Sequence, residues 1–387
     1  FFKTMRLYHP IPVIIVSALG TQAFTAHSST AWTAKKGPLY SSTGATAETT
    51  KTKKLGLLTF DLDDTLYPVA PVISEANEAF AKAMQNFGFE GIKPGDIEDT
   101  GRQMREEIAI ENPKKAAALS HTEIRMMAIR RQMETVIFLR SLERIAEDEA
   151  TSVSSLSPII VNNAKIWAAK EVSPTVVQAV YNAWEMERHH AGERHVFPEM
   201  IEMLEKIKEK HPNVIIGAIT DGKANPMLMT FTCAPFFDFC MSWEDDMGSR
   251  EKFFKELDET GSVAQLKWIY EAALEKYSGF ASARGSFKNK DESSSDVWIH
   301  VGDDLAYDVG GSAACGAKTI LMELADKYGQ TARHRFTKDE QPSWSVTMNT
   351  EIEKRKKMND NAEQHVDKRV HYISGLTEAI SDILVEM

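Results

Sequence analysis

A chain of 387 residues with 43% hydrophobic residues is long enough to bury a substantial core and has the composition of an ordinary globular protein. A formal net charge of −11 argues against general binding to the nucleic-acid backbone. Three cysteines, Cys233, Cys240 and Cys315, show neither metal-ligand spacing nor a paired pattern, which points to reduced thiols rather than a secreted disulfide scaffold.

The first fifty residues differ in kind from the rest. Lys3 and Arg6 precede "IPVIIVSALG", an apolar run too short to span a bilayer and suited to a signal-peptide core. The following "TQAFTAHSSTAWTAKKGPLYSSTGATA" is rich in Ser, Thr and Ala, and the first acid is Glu48. Absence of acids is the compositional mark of a transit peptide. A signal followed by a transit stretch, with Phe24 at the junction, resembles the two-part plastid address of algae whose plastid lies within extra membranes. A plain secretory signal and linker is the alternative. The sequence opens on Phe1, with Met5 a candidate start, and residues 1–53 are expected to stand outside the fold.

From Lys54 the pattern alternates between strand and helix. "LGLLTF" (55–60), "VIIGAIT" (214–220), "VWIHVG" (297–302) and "KTILME" (318–323) are apolar over most of their length, as strands buried on both faces of a parallel sheet must be. Helical stretches such as "PEMIEMLEKIKEKH" and "WIYEAALEKY" separate them. The expected fold is therefore α/β, a doubly wound parallel sheet. Residues 72–196 contain no convincing strand and read as helices, a subdomain inserted after the first strand. The expected organisation is a leader over 1–53, a core over 54–71 and 197–387, and a helical cap over 72–196. Residues 278–296 read as a polar surface insertion, and 331–370 as charged and weakly patterned.

In such a sheet, functional residues collect beyond the carboxyl ends of the strands. Three strand ends carry polar sets: Asp61 and Asp63 in "DLDDTLY", Thr220 followed by Asp221 and Gly222, and Asp303 in "GDDLAYD". Phosphoryl transfer to a carboxylate needs a nucleophile, a proton donor for the leaving alkoxide, a cation and donors to the phosphate oxygens. Asp61 suits the attack on phosphorus, and Asp63 suits the acid and base steps. Asp61 and Asp303 suit a shared magnesium ion, with the backbone carbonyl of Asp63 as a further ligand. Thr220 and the neighbouring Asp221–Gly222 backbone suit the phosphoryl oxygens.

"DLDDTLY", "VIIGAIT" and "GDDLAYD", in this order and each after an expected strand, resemble the first, second and fourth motifs of the haloacid dehalogenase (HAD) superfamily. The resemblance covers residues 55–387. It implies a magnesium-dependent enzyme with a helical cap that closes over the substrate. Relatives that break carbon–halogen bonds lack a carboxylate two residues after the nucleophile, so Asp63 fits phosphate-ester hydrolysis, with phosphomutase chemistry left open. The third motif usually carries a Lys before a Pro. Lys252 in "GSREK" resembles it most, with Arg250 and Lys267 as rivals.

"LTFDLDDTLYPVAPVI", "AITDGKANP" and "HVGDDLAYDVGGSAACGAKTI" together resemble the phosphatase branch that acts on FMN and on 5-amino-6-(5-phospho-D-ribitylamino)uracil. That resemblance implies a small phosphomonoester as partner, no nucleic acid, no stable membrane insertion, and Trp167, Tyr181 and Trp184 as the cap aromatics available to a planar ring or to core packing. Nucleotides or sugar phosphates are the alternative substrates, and a weakly catalytic phospho-ligand-binding protein is the alternative class. Among other residues, His189, His190 and His195 read as a hinge cluster, Cys315 as a packed helix residue, Asp304 as a helix cap or outer metal contact, and Asp308 as the partner of the third-motif cation. Arg125 and Arg130 read as surface charges or contacts to an anionic substrate.

Overall fold

The computed structural model describes residues 53–242, 244, 267–283, 296–332 and 349–387. The leader, Arg250 and Lys252 lie outside the described residues.

The chain enters the sheet at β1 (Lys54–Phe60) and leaves it for a run of six helices: α1 (Val69–Asn86), α2 (Asp96–Glu111), α3 (Pro113–Ala118), α4 (His121–Asp148), α5 (Pro158–Glu171) and α6 (Pro174–His195). It then continues through α7 (Pro198–Lys210), β2 (Ile215–Thr220), β3 (Phe239–Ser242), α8 (Trp268–Ala283), β4 (Asp296–Gly302), β5 (Lys318–Met322), α9 (Asn349–Ala362), β6 (Lys368–Val370) and α10 (Leu376–Glu386). All strand pairs are parallel, in the order β3-β2-β1-β4-β5-β6. This is the Rossmann-like doubly wound arrangement.

Side chains of the central strands alternate between two cores. Leu58 and Phe60 of β1 join Ile216 and Ala218 of β2 and Ile299 and Val301 of β4 on one face, covered by Met200 and Leu204 of α7 and Ile380 of α10. Leu57, Ile215, Ile219 and Trp298 form the other face, under Ile269 and Ala273 of α8 and Met358 of α9. Each such fully buried side chain contributes about 1.5–3 kcal/mol. A strand apolar on both faces is what this burial requires, which is why four of the strands were readable. β3 ("FCMS") and β6 ("KRV") are too short to show a period and escape the pattern. The structure begins the helical insertion at Val69, directly after Pro68, and ends it at His195.

The insertion has its own core. Val69, Ile73 and Phe80 of α1, Ile97 of α2, Ile129 and Met133 of α4, and Val180, Tyr181 and Trp184 of α6 are buried together. Helix ends follow local chemistry. Ser120 accepts from the Glu123 amide while the Glu123 side chain accepts from the Ser120 amide, a capping box for α4. The same helix end is also held from the sheet side. Buried Glu244, two residues beyond β3, accepts from the His121 and Thr122 amides at 2.8 and 3.3 Å. A carboxylate at a helix N-terminus is favoured by the orphan amides and the dipole, so this contact ties the insertion to the sheet.

Candidate active site

Strand order reverses between β1 and β4, and ligands of such sheets gather at that reversal, beyond the carboxyl ends. Asp61 stands there. Its amide donates to the Val301 carbonyl of β4 at 2.9 Å, prolonging the pairing by one residue. The chain then folds back tightly, with the Asp64 amide donating to the Tyr67 carbonyl at 2.8 Å and the Leu66 amide to the Leu62 carbonyl at 2.9 Å.

The two adjacent acids of the turn have different tasks. Asp64 has φ 62° and is wholly buried. Its carboxylate accepts from the Val69 amide at the start of α1 (2.9 Å) and from the amide and hydroxyl of Thr331 (2.9 and 2.7 Å). Its carbonyl accepts from Gln330 Nε2. Asp64 therefore fastens the turn to α1 and to the segment after β5. Thr65 donates to Asp303 Oδ1 at 3.4 Å.

Asp61, Asp303 and Asp308 bring one oxygen each within 4.8 Å of one another, and all three are buried. Asp308 sits in a π-helical turn (Leu305–Gly311) that follows β4, and its carboxylate fills the space a side chain at Gly302 would need. The Asp304 amide donates to Asp308 Oδ2 at 2.8 Å, and the Tyr270 hydroxyl faces Oδ1 at 3.4 Å. His300 Nε2 approaches the same Oδ1 at 3.4 Å, while its Nδ1 lies 2.7 Å from Thr59 Oγ1, which accepts from Trp298 Nε1. Burial pushes the His300 imidazole down to about 3, so it stays neutral. Neutral His300 with Nε2 protonated satisfies this whole chain of donors and turns an N–H toward Asp308.

Burial raises the Asp61 carboxyl well above the usual range, and the charges of Asp308, Asp303, Asp221 and Asp63 raise it further. So many acids ionise together only around a cation. The donors are all oxygen, which fits a hard ion such as magnesium. The Asp63 side chain lies outside this triad. Its Oδ2 accepts from Nη2 of Arg188, 2.5 Å away on α6. The Tyr67 phenol lies beside this pair, and burial, then the Asp63 charge, push it well above its ordinary value.

Thr220, at the end of β2, is buried, and its hydroxyl accepts from the Gly222 amide at 3.3 Å. A side chain at Gly222 would lie 3.1 Å from Arg188 Nη2 and 3.3 Å from Asp63 Oδ2. Asp221 is exposed, and its charge reaches Asp61. The structure thus brings Asp61, Asp63, Thr220, Asp221, Gly222 and Asp303 to one end of the sheet. Among the three rivals for the third-motif cation, Lys267 lies beside the Cys315 thiol, where its charge is felt.

Arg188 is the residue at this site that sequence reasoning missed. The signal was present: Tyr181, Trp184, Arg188 and Ala191 follow one helical stripe, and all four are buried, so a charge occupies a core-facing position. Among the described residues no histidine joins a cluster of side chains with metal-ligand geometry. His195 pairs with Glu75 at 2.7 Å, and His189 Nδ1 bonds the Glu185 carbonyl. Asp304 caps the turn through the Tyr307 amide and pairs with Arg355. Arg130 is exposed and bonded to Glu134, while Arg125 lies over the Trp184 ring, 4.1 Å from its centre. Trp184 and Tyr181 are core residues of the insertion, and Trp184 donates to Asn77 Oδ1 at 2.9 Å. Trp167 is 48% exposed, on the surface of α5. Arg125 also lines a small cavity with Ile97, Glu98, His121 and Ile124, where burial raises the Glu98 carboxyl to about 7. No described helix is long and apolar enough to cross a membrane.

Fold and site together define a doubly wound α/β protein with a buried, oxygen-only acidic cluster at the reversal of its sheet. No family model matches the chain. An uncharacterized protein of Saccharomyces cerevisiae is 25% identical over 138 residues, which are 35% of this chain and 40% of that protein. The chain thus matches less than half the length of this curated relative. Among solved structures, a 2-haloacid dehalogenase from Pseudomonas syringae pv. tomato DC3000 is 17% identical, with 85% of this chain and 99% of that one covered, at a TM-score of 0.42. A predicted phosphoglycolate phosphatase from Haemophilus somnus 129PT is 12% identical, with 71% and 87% covered, at a TM-score of 0.31.

Proposed function

We propose that this chain is a magnesium-dependent phosphohydrolase of the haloacid dehalogenase superfamily, cleaving a small phosphomonoester through an aspartyl phosphate on Asp61. One observation supports this most: Asp61 directly follows β1 at the reversal of the sheet, with oxygens of Asp303 and Asp308 within 4.8 Å. Asp61, Asp303 and Asp308, with the backbone carbonyl of Asp63, would hold magnesium, which when bound neutralises the crowded carboxylates and the phosphate oxygens.

The steps fall to the chain's own residues. Asp61 attacks phosphorus and the ester oxygen departs, taking a proton from Asp63. Asp63 then removes a proton from water as that water attacks the phosphorus of the aspartyl phosphate, releasing inorganic phosphate and restoring Asp61. Thr220 and the backbone at Gly222 receive the phosphoryl oxygens.

The finer reading is a ribityl phosphate, either FMN or 5-amino-6-(5-phospho-D-ribitylamino)uracil, and it rests on the motif resemblance. Nucleotides and sugar phosphates are the competing class. With Trp184 and Tyr181 packed in the insertion, selection of a planar ring falls to other residues. Residues 1–53 are proposed to direct the chain to a plastid, and a reporter behind this leader should accumulate there; a cytosolic or secreted reporter refutes that address. The purified full chain with magnesium should hydrolyse ribityl phosphates with kcat/KM more than about tenfold above nucleoside monophosphates. Equal or better turnover of nucleotides removes the flavin assignment. Absence of turnover on every phosphomonoester, or full turnover by Asp61→Asn, removes the phosphohydrolase.

A further inference from the structure

The Arg188–Asp63 contact is incomplete on both sides. Arg188 is 3% exposed and its Nη2 meets Asp63 Oδ2 at 2.5 Å. Its Nη1 is buried without a hydrogen-bond partner, and so are Asp63 Oδ1 and the hydroxyl of Tyr67, whose phenol lies beside both groups. A guanidinium and a carboxylate that pair for structure alone tend to use two parallel bonds, which satisfy both forks. Here one bond is made, and a guanidinium donor, a carboxylate acceptor and the Tyr67 hydroxyl are left over. Native interiors leave few such groups, and each calls for a cause.

The surroundings suggest the cause. Three elements meet at this pair: the turn after β1, the end of β2 and helix α6. A side chain at Gly222 would lie 3.1 Å from Arg188 Nη2, 3.3 Å from Asp63 Oδ2 and 3.8 Å from Thr220 Oγ1. The spot is therefore bounded by a donor from the insertion, the acid–base carboxylate and the hydroxyl that ends β2. A group satisfying Nη1 here must be an acceptor. Asp63 Oδ1 beside it is satisfied by an acceptor only when it carries the proton it is to donate. A phosphate ester meets both needs, with anionic oxygens for Arg188 and a bridging oxygen that receives the Asp63 proton.

We infer that Arg188 is a phosphoryl-binding residue supplied by the helical insertion, resting on the phosphohydrolase reading above. Nη1 donates to a non-bridging oxygen of the substrate's phosphoryl group, while Nη2 keeps Asp63 aimed at the ester oxygen. The insertion thereby contributes to the site where phosphorus is handled, as well as to the enclosure of the leaving group.

The experiment compares wild type, Arg188→Ala and Arg188→Lys in the full chain with magnesium. It measures phosphomonoester kinetics, inhibition by orthovanadate and calorimetric binding of inorganic phosphate, with folding checked by circular dichroism. Loss of a charge-assisted hydrogen bond should weaken phosphate and vanadate binding by at least about tenfold in Arg188→Ala. Added guanidinium ion should restore part of that loss, which a purely structural role does not allow. Arg188→Lys keeps the charge and loses the fork, so it should retain its fold and still bind phosphate several-fold more weakly. If Arg188→Ala does not fold, Arg188→Lys decides alone. Phosphate and vanadate affinities equal to wild type in the folded variants overturn the inference and leave the phosphohydrolase standing. Phosphate binding without turnover in wild type, lost in Arg188→Ala, upholds Arg188 and removes the hydrolase. Failure of wild type to bind phosphate at all overturns both.

Discussion

Replacing Asp64 by Ala removes three acceptor contacts at once: the Val69 amide, the Thr331 amide and the Thr331 hydroxyl. Bonds to an ionised carboxylate contribute about 1.5–3 kcal/mol each. The Thr331 groups are only half-buried and regain water, so roughly half of the nominal sum survives, about 3–4 kcal/mol. The backbone adds its own contribution. At φ 62° an Ala residue costs roughly 1 kcal/mol that Asp and Asn largely escape through local bonding and Gly escapes through having no Cβ. The expected loss for Asp64→Ala is therefore about 4–5 kcal/mol, and Asp64→Gly should be less damaging by about 1 kcal/mol. That order is opposite to the usual one, in which Gly is the worse replacement. Asp64→Asn keeps the conformation and an acceptor and should lose about 1–2 kcal/mol. Urea unfolding midpoints of the four proteins, with slopes held common, test the series. A change below about 1 kcal/mol for Asp64→Ala, or Gly ranking below Ala, would refute the reasoning.

Asp63→Asn should lower kcat by about 10²–10⁴-fold with the metal still bound, read by steady-state kinetics beside magnesium titration; an unchanged kcat removes its acid–base role. Gly222→Ala places a methyl group against Arg188 and Asp63 and should cut kcat/KM by about tenfold or more, with thermal stability as the control for folding. Glu98 sets a pH dependence of stability. Its folded pKa, about 7, lies above the ordinary 4.5, so the fold holds this proton more tightly than the unfolded chain does. Stability tied to it is intact below about pH 4.5 and is lost as pH rises through 7. Glu98→Gln should match wild type near pH 4.5 and exceed it by up to about 3 kcal/mol at pH 8. A difference that does not vary between those two pH values contradicts the buried-carboxyl assignment.

Much of this molecule is written in short-range pattern. The four readable strands are apolar on both faces, and acids follow the first and third of them at their ends, so "DLDD" and "GDD" mark the site within the sequence itself. Three things were not legible. Asp63 was singled out by its place two residues after Asp61, but the task of Asp64 was not readable, because it depends on Thr331 and Gln330, more than 250 residues away along the chain. Arg188 was hidden by its setting in "WEMERHH", where charges are common and solvated faces are the rule. Its core-facing phase on α6 was the only clue. β3 and β6 carry too few residues for a period, and only their pairing with β2 and β5 defines them as strands.

The position of β1 at the centre of the sheet has a consequence for the making of the protein. Leu57 pairs with Ile215 on one side and with Trp298 on the other, so its neighbours leave the ribosome roughly 160 and 240 residues later. At about 5–20 residues per second, this greasy strand waits on the order of ten to fifty seconds for its second partner, with both edges open to other chains. The helices of the insertion emerge during that interval and bury their own core in one another. Keeping nascent β1 from pairing with like strands until β4 arrives is the task that this order of synthesis sets.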